Sequence, residues 1–257
     1  MTQQPDLVVV HPDPDTLAAA VAARLITAIL DAQARHGGAH VVLTGGTIGT
    51  AAMAAVPASP ASGAVDWTAV DFWWSDERFE PEGSDLRNET GARKVMLDKL
   101  PIDPAKVHPM PRRGGPYGDD IAAAAQGYAT ELAAAAGPGD GPLPRFDVAM
   151  LGMGHDGHVA SLFPGNAGLA ATGPETVIPV LDSPKPPPNR LSFTLSTINT
   201  AREVWLVADG ETKIEALAAA LNPPPRESKV PAGMVHGTEQ TLALIDKVAA
   251  SGLKRRD

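Results

Sequence analysis

The chain has 257 residues, of which 44% are hydrophobic, and its formal net charge is −9. That length suits one large α/β domain or two small ones, and the hydrophobic fraction is typical of a globular protein rather than a disordered one. Because the sequence contains no cysteine, it excludes disulfides, thiolate zinc sites and cysteine nucleophiles. The acidic balance, with no basic block beyond the tail LKRRD, predicts that nucleic acid is not a partner.

No apolar run approaches the roughly 18 to 20 residues that cross a bilayer. The first residues, MTQQPDLVVV, lack the basic region that precedes the apolar core of a secretory signal. We therefore expect no membrane partner and a cytoplasmic location. A negatively charged protein that binds an anionic small molecule must do so through a few local cations and backbone N–H groups.

Predicted strands and helices alternate along the chain. The predicted strands are apolar runs at residues 7–10, 40–43, 70–74, 146–154, 176–180, 191–201 and 203–210. The predicted helices cover residues 13–35, 47–56, the segment after SDLRN, 119–136 and 211–221, and Asp13 or Asp15 could cap the first. The segment SDERF is predicted as a charged loop, PKPPPNR as a rigid polyproline-like segment, and residues 241–249 as strand or helix.

This alternation predicts an α/β fold, with a mostly parallel sheet covered by helices on both faces. No repeat or long linker divides the chain, so we expect one domain over residues 1–257. In open sheets of this kind, ligands bind beyond the carboxyl ends of the strands. Three segments stand at such ends, namely TGGTIG, SDERF and GMGHDGH.

The segment TGGTIG joins a predicted strand to a predicted helix. Paired glycines, Gly45 and Gly46, let the backbone approach a ligand closely, and the free N–H groups of a helix N-terminus favour an anion. Hydroxyls at Thr44 and Thr47 could add hydrogen bonds. The alternative is a tight turn with a threonine N-cap. The segment is not a Walker A loop, because the Gly-Lys-Ser/Thr ending is missing.

Asp76, Glu77 and Arg78 follow the apolar residues of a predicted strand. One interpretation is a solvated loop with an internal ion pair. The other places Arg78 on an anionic group of a substrate, because its forked guanidinium matches phosphate oxygens. Asp76 could then orient an arginine or a histidine.

The stretch LGMGHDGHVASLFPG, residues 151–165, admits three interpretations. Its glycines fit a dinucleotide fingerprint, but that motif should open a clean helix, and here a proline follows one short turn. His155 and His158, with Asp156 between them, could begin a metal site, although no third ligand is evident. In a catalytic loop, a histidine would act as general acid or base, Asp156 would orient an imidazole or a water, and the glycines would supply backbone donors.

The segments LTGGTIG, WWSDERF, SDLRN, LGMGHDGHVASLFPG, PKPPPNR and LVADGETKIEAL occur in this order. Together they resemble the 6-phosphogluconolactonase family, with motifs from residue 43 to 217. The resemblance implies a Rossmann-like α/β domain shared with the glucosamine-6-phosphate deaminases. It also implies hydrolysis of 6-phosphogluconolactone, the second step of the oxidative pentose phosphate pathway. No cofactor and no metal are implied, and the oligomeric state is left open.

The resemblance also implies roles for individual residues. The histidine of the Asp-Gly-His motif matches His158, which would be the general base, with Asp156 of the same motif beside it. Asp76 is a further catalytic candidate from the residues themselves. The substrate and its phosphate would be held by residues that match the family's turn and basic positions, which are Gly45, Gly46, Thr47, Arg78, Lys213 and Arg190. Backbone donors of the glycine loop, at Gly152, Gly154 and Gly157, would stabilise the oxyanion, and an arginine could add to them. Arg87 and Asn88 match a family pair to which no role is assigned.

Two rival functions differ in sequence features. The deaminase branch resembles DGHIAFNEP where this chain has DGHVASLFP. Its carboxylate for ring-opening chemistry falls at Phe163, which cannot transfer a proton, so the lactonase is favoured. A non-catalytic sugar-phosphate sensor would carry a basic DNA-binding helix-turn-helix, and the segment before the first predicted βα unit is too short for one. Such a sensor would also have no need of His158.

Overall fold

The computed structural model of the protein describes residues 5–137, 141–165, 174–222, 228 and 230–254. The strands found there are β1 Leu7–His11, β2 Ala39–Leu43, β3 Val70–Trp74, β4 Asp76–Arg78, β5 Val148–Gly152, β6 Val177–Val180, β7 Arg190–Phe193, β8 Glu203–Ala208 and β9 Gln240–Asp246. The α-helices are α1 Pro14–His36, α2 Thr47–Ala58, α3 Asn88–Val95, α4 Ile121–Ala135, α5 Leu195–Ile198 and α6 Ile214–Leu221.

The main sheet has six strands in the order β1-β9-β8-β5-β2-β3, and every neighbouring pair is parallel. Helices flank it, so the predicted α/β class with a mostly parallel sheet is confirmed. The strands are rich in β-branched and aromatic residues, and their central members are almost wholly buried, as expected for a parallel sheet covered by helices. The closing segment, left open between strand and helix, forms strand β9 at residues 240–246.

Helix α1 forms where its apolar spacing predicts. The Asp13 side chain accepts a hydrogen bond from the Thr16 N–H at 2.8 Å, so Asp13 rather than Asp15 caps the helix. The helix ends at Gly37, whose φ of 84° is the left-handed conformation that glycine adopts freely. By length and composition this helix could cross a membrane, but one face of it is buried against α2 and the main sheet, as in a core helix.

A second sheet lies beside the first and was not predicted. It has three antiparallel strands in the order β4-β7-β6. The prediction of a charged loop at SDERF is wrong, because Asp76–Arg78 form strand β4, paired with β7. Asp76 and Glu77 are buried there, which also excludes the solvated loop.

The single strand predicted over residues 191–201 is wrong in its second half. Strand β7 ends at Phe193, and the Thr194 hydroxyl accepts from the Thr197 N–H to begin the short helix α5. All four residues of β7 are buried, because its neighbours β4 and β6 and helix α4 leave no exposed face. The alternation of apolar and polar residues in the sequence does not show that β4, β6 and α4 bury every residue of β7.

Candidate active site

A cavity of about 270 Å³ lies beyond the carboxyl ends of β2, β5 and β8, the edge expected for a ligand in an open α/β sheet. Its lining, among the described residues, includes four cationic side chains and two carboxylates, namely Arg78, Lys185, Arg190 and Lys213 with Asp76 and Asp209. The chain as a whole carries a net charge of −9. This local excess of cations therefore favours an anionic ligand in the cavity.

The glycine turn after β2 lines this cavity from Thr44 to Ile48. Gly46 is the N-cap of α2, with φ 82° and no side-chain capping bond, so the alternative of a threonine N-cap is wrong. No acidic residue occupies the first turn of α2. A Cβ at Gly45 would overlap the side chain of Asn88, so only glycine fits there. The result is an uncapped helix N-terminus that opens into the cavity.

His158 lines the cavity with its ring held from one side by a carboxylate. Its Nδ1 lies 2.5 Å from Asp156 Oδ1, and its side chain is 13% exposed. Because an ionised carboxylate only accepts hydrogen bonds, Nδ1 carries the proton in the neutral ring and Nε2 has the free lone pair. Burial lowers the pKa of His158, although the bond to Asp156 raises it. The imidazole is therefore neutral at pH 7 and can accept a proton.

Phe163 packs against this ring, with the two ring centroids 4.4 Å apart. It is buried, and the Arg190 guanidinium carbon lies 5.7 Å from its ring centroid. An apolar face beside His158 contributes to the burial that keeps the imidazole uncharged. Phe163 thus stands where the deaminase pattern has a carboxylate, and it contacts the histidine directly.

The glycines of the histidine loop lie where a larger side chain would meet a neighbour, and at Gly154 the neighbours are His158 and Asp156. A Cβ at Gly154 would overlap His158 Nδ1 and Asp156 Oδ1, and one at Gly157 would lie 2.7 Å from Val230 Cβ. The backbone N–H groups of this loop's three glycines already have acceptors within the protein. The Gly152 N–H donates to Thr44 Oγ1 at 3.0 Å, the Gly154 N–H to the His158 carbonyl at 2.8 Å and the Gly157 N–H to the Gly154 carbonyl at 3.1 Å. None of the three N–H groups is free in this loop, and their service to an oxyanion stays a prediction.

The two other interpretations of this loop do not fit the structure. Residues 153–165 form turns and bridges, without the helix that a dinucleotide fingerprint opens. Among the described residues, no group of three or more His, Asp or Glu side chains is arranged to hold a metal ion. His155 is exposed and is not part of the cavity lining.

The buried acidic residues of β4 organise the opposite wall. Asp76 accepts a hydrogen bond from the Ser161 hydroxyl at 2.7 Å and lines the cavity. Glu77 accepts from the N–H groups of Asn88 at 2.6 Å and Glu89 at 2.9 Å, and so caps helix α3. Burial raises the pKa of Glu77 to about 7, although the charge of Arg87 lowers it.

The pair Arg87 and Asn88, which the sequence left without a role, supports Arg78. The Asn88 amide oxygen accepts from Arg78 Nη1 at 2.8 Å, and its Nδ2 donates to the Asp76 carbonyl at 2.9 Å. Arg87 is buried, and its Nη2 donates to the Met110 carbonyl at 2.8 Å. Asn88 therefore ties the Arg78 side chain to strand β4, and Arg87 fixes the start of α3 from which Asn88 does so.

The cavity lining also contains a predicted lysine, Lys213, and two residues that sequence reasoning missed, Asp209 and Lys185. Lys213 lies in a short 3-10 turn just before α6, and Asp209 follows strand β8. Burial lowers the pKa of Lys213, and the charge of Lys185 lowers it further. Lys185 belongs to the segment PKPPPNR, in which the prolines are the conspicuous signal and the lysine carries none of its own.

Comparison with known proteins agrees with this geometry. The model of the family described as glucosamine-6-phosphate isomerases/6-phosphogluconolactonase matches residues 12–244. The chain belongs to this family. A 6-phosphogluconolactonase of Streptomyces coelicolor is 52% identical to it, over 99% of this chain and 97% of that relative. One of Mycobacterium tuberculosis is 43% identical, over 95% of this chain and 97% of that one. The lactonase branch predicted from the motifs is confirmed.

Solved structures of the family have the same fold. A 6-phosphogluconolactonase from Trypanosoma brucei superimposes with a TM-score of 0.82 at 26% identity, covering 98% of this chain and 100% of that one. The enzyme from Thermotoga maritima gives 0.79 at 26% identity, covering 94% and 99%. A monomeric glucosamine-6-phosphate deaminase gives 0.76 at 18% identity, covering 96% and 99%, which shows a shared fold and no more.

Proposed function

We propose that this family member hydrolyses 6-phosphoglucono-1,5-lactone to 6-phosphogluconate, in the oxidative pentose phosphate pathway. The observation that carries the proposal is a histidine bound to a carboxylate through Nδ1, in the same cavity as an excess of cations. The cavity draws residues from Thr44 to Lys213, so we propose that the chain acts as one domain. The reaction needs no cofactor. The cytoplasmic location and the absence of nucleic-acid and membrane partners stay predictions.

In this proposal the phosphate of the substrate is held at the turn that begins α2. Gly45, Gly46 and Thr47 offer backbone N–H groups at an uncapped helix N-terminus, where the helix dipole favours an anion. Arg78 and Lys213 line the same cavity and add cationic donors. Anchoring the phosphate in this way fixes the distance from the lactone ring to the base.

His158 then acts as the general base. Its Nε2 takes one proton from a water, and the water oxygen forms a bond to C1 while the carbonyl electrons move to the oxygen. Collapse of this intermediate breaks the bond between C1 and the ring oxygen, and the proton on Nε2 passes to that oxygen. The new carboxyl group ionises and releases one proton to the solvent. Asp156 keeps the proton of the ring on Nδ1 and orients the imidazole throughout.

Acid release from freshly prepared 6-phosphogluconolactone, followed with a pH indicator against the spontaneous rate, tests the proposal. We expect acceleration well above the spontaneous rate. Glucono-1,5-lactone is the matched control, because it has the same reacting ring without the phosphate. It should react with a kcat/KM at least about 10²-fold lower, since the binding energy of the phosphate is lost.

Two results would contradict the proposal. Ammonia release from glucosamine 6-phosphate without lactone hydrolysis would instead indicate the deaminase branch. Binding of 6-phosphogluconate without turnover of the lactone would instead indicate a sugar-phosphate sensor.

A further inference from the structure

The proposed reaction places a negative charge on the carbonyl oxygen at C1, close to His158. The N–H groups of Gly152, Gly154 and Gly157 cannot meet this charge without breaking the bonds that hold the loop. A cationic side chain that lines the cavity together with His158 is another kind of donor for this charge.

Lys185 lines the cavity together with His158, on a segment whose backbone is held firmly. Its carbonyl accepts hydrogen bonds from the Ser183 hydroxyl at 3.1 Å and from Arg190 Nη2 at 3.0 Å. Its half-buried ammonium has no hydrogen bond or ion pair within the described part of the chain. A lysine whose backbone is fixed, and whose ammonium has no partner among the described residues, is available to bind a ligand.

Lys185 and Lys213 line the same cavity, and besides burial the charge of Lys185 lowers the pKa of Lys213. Burial lowers the pKa of His158, and the charge of Lys185 is the cationic contribution that lowers it further. Asp156, the partner of that histidine, is the carboxylate that acts most strongly on Lys185, whereas for Lys213 it is Asp209. The Lys185 segment lies toward the base, because Arg190 bonds to its carbonyl and lies over Phe163, which packs on His158. Lys213 instead follows the end of β8.

We propose that Lys185 is the catalytic cation that stabilises the oxyanion formed at C1, with Arg190 as the residue that positions it. The inference rests on the proposed lactone hydrolysis. When water adds to C1, the ammonium donates a hydrogen bond to the carbonyl oxygen and keeps its own proton. It is released when the C1 carbonyl re-forms and the ring oxygen departs.

Arg190 was predicted to bind the substrate or its phosphate, and its contacts favour the positioning of Lys185 instead. It is buried, and its Nε donates to the Pro187 carbonyl at 3.1 Å while Nη2 donates to the carbonyls of Lys185 and Pro186. Its guanidinium also lies over Phe163, which packs on His158. One side chain thereby fixes both the Lys185 segment and the apolar side of the base.

Steady-state kinetics of Lys185→Met test the inference, since methionine keeps the length of the side chain and removes the charge. We expect kcat to fall about 10²-fold, as for loss of one oxyanion donor, and KM to change by less than about threefold. The acid limb of the pH profile of kcat/KM should move to higher pH, because a cation that lowers the pKa of His158 is gone. Lys185→Arg should recover part of kcat.

Two control variants make the result specific. Lys213→Met should raise KM more than it lowers kcat, because that cation is assigned to the phosphate. Lys94→Met removes the same charge from an exposed position outside the cavity and should match the wild type.

A rise in KM with unchanged kcat in Lys185→Met would overturn the inference and make Lys185 a phosphate ligand. Unchanged kcat and KM would overturn it as well. Failure of the wild-type protein to hydrolyse the lactone is a separate result, and it would refute the proposed function itself.

Discussion

A single methyl group at Gly154 tests whether the contact between His158 and Asp156 matters to the reaction. A Cβ built at Gly154 would lie 2.5 Å from Asp156 Oδ1 and would overlap the Nδ1 edge of the His158 ring. Ordinary contact distances are near 3.5 Å, so these side chains must separate or shift by about 1 Å. A displacement of that size at a reacting group lowers the rate about 10²-fold, or about 2.7 kcal/mol in transition-state stabilisation.

The assay compares kcat/KM for the phosphorylated lactone between the wild type and Gly154→Ala, with circular dichroism to check the fold. Gly91→Ala is the matched control, because it adds the same methyl group within helix α3, where no atom lies within 4 Å. The control should keep full activity and gain up to about 1 kcal/mol in stability from helix propensity. Full activity in a folded Gly154→Ala variant would refute the assignment of this pair to the chemistry.

Two pH effects follow from the electrostatics. The pKa of His158 is lowered below its ordinary value of 6.5, so kcat/KM should stay constant at neutral pH and fall only below about pH 6.5. Asp156→Asn removes a charge that raises the pKa of His158, so the acid limb of the kcat/KM profile should move to lower pH. We also expect kcat to fall at least about tenfold. An acid limb that moves to higher pH would contradict this reasoning. Away from the cavity, burial lowers the pKa of His108, but its hydrogen bonds to Asp71 and Glu131 outweigh burial and raise it. The stability that His108 contributes is thus fully present below about pH 6.5, and it is lost as the pH rises through the raised pKa. The difference in Tm between the wild type and His108→Gln should therefore narrow from pH 6 to 9. A difference in Tm that stays constant over this range would contradict the prediction.

The parallel sheet could be predicted from the sequence because its signals are local. Apolar runs, helical spacing and terminal caps such as Asp13 and Gly37 lie within the elements that they define. Strands that alternate with helices leave few alternatives to a parallel arrangement. The same local signals placed the turn at Gly45 and Gly46 at a carboxyl end of the sheet.

The second sheet could not be predicted, because its strands are joined by long-range pairing. Asp76 pairs with Ser192, and its side chain bonds to Ser161, so its burial depends on segments far along the chain. Three consecutive charged residues indicate a solvated loop unless those partners are known. Strand β4 is short and polar, which leaves no apolar alternation to detect.

The candidate site was partly visible in the sequence. The resemblance singled out His158 and Asp156, and the structure brings their side chains into contact. It did not single out Lys185, which lies among prolines, or reveal that the glycine N–H groups are already bonded. Hydrogen-bond partners of the backbone are a property of the folded loop, and spacing in a sequence does not encode them.

The central claim is that His158 is the base of a lactone hydrolase, and the kcat of His158→Gln tests it most directly. Glutamine keeps the polarity of the side chain but cannot accept a proton at neutral pH. With saturating 6-phosphogluconolactone, and after subtraction of the spontaneous rate, we predict a kcat about 10²- to 10⁴-fold below that of the wild type. A folded variant that keeps the wild-type kcat would contradict the account.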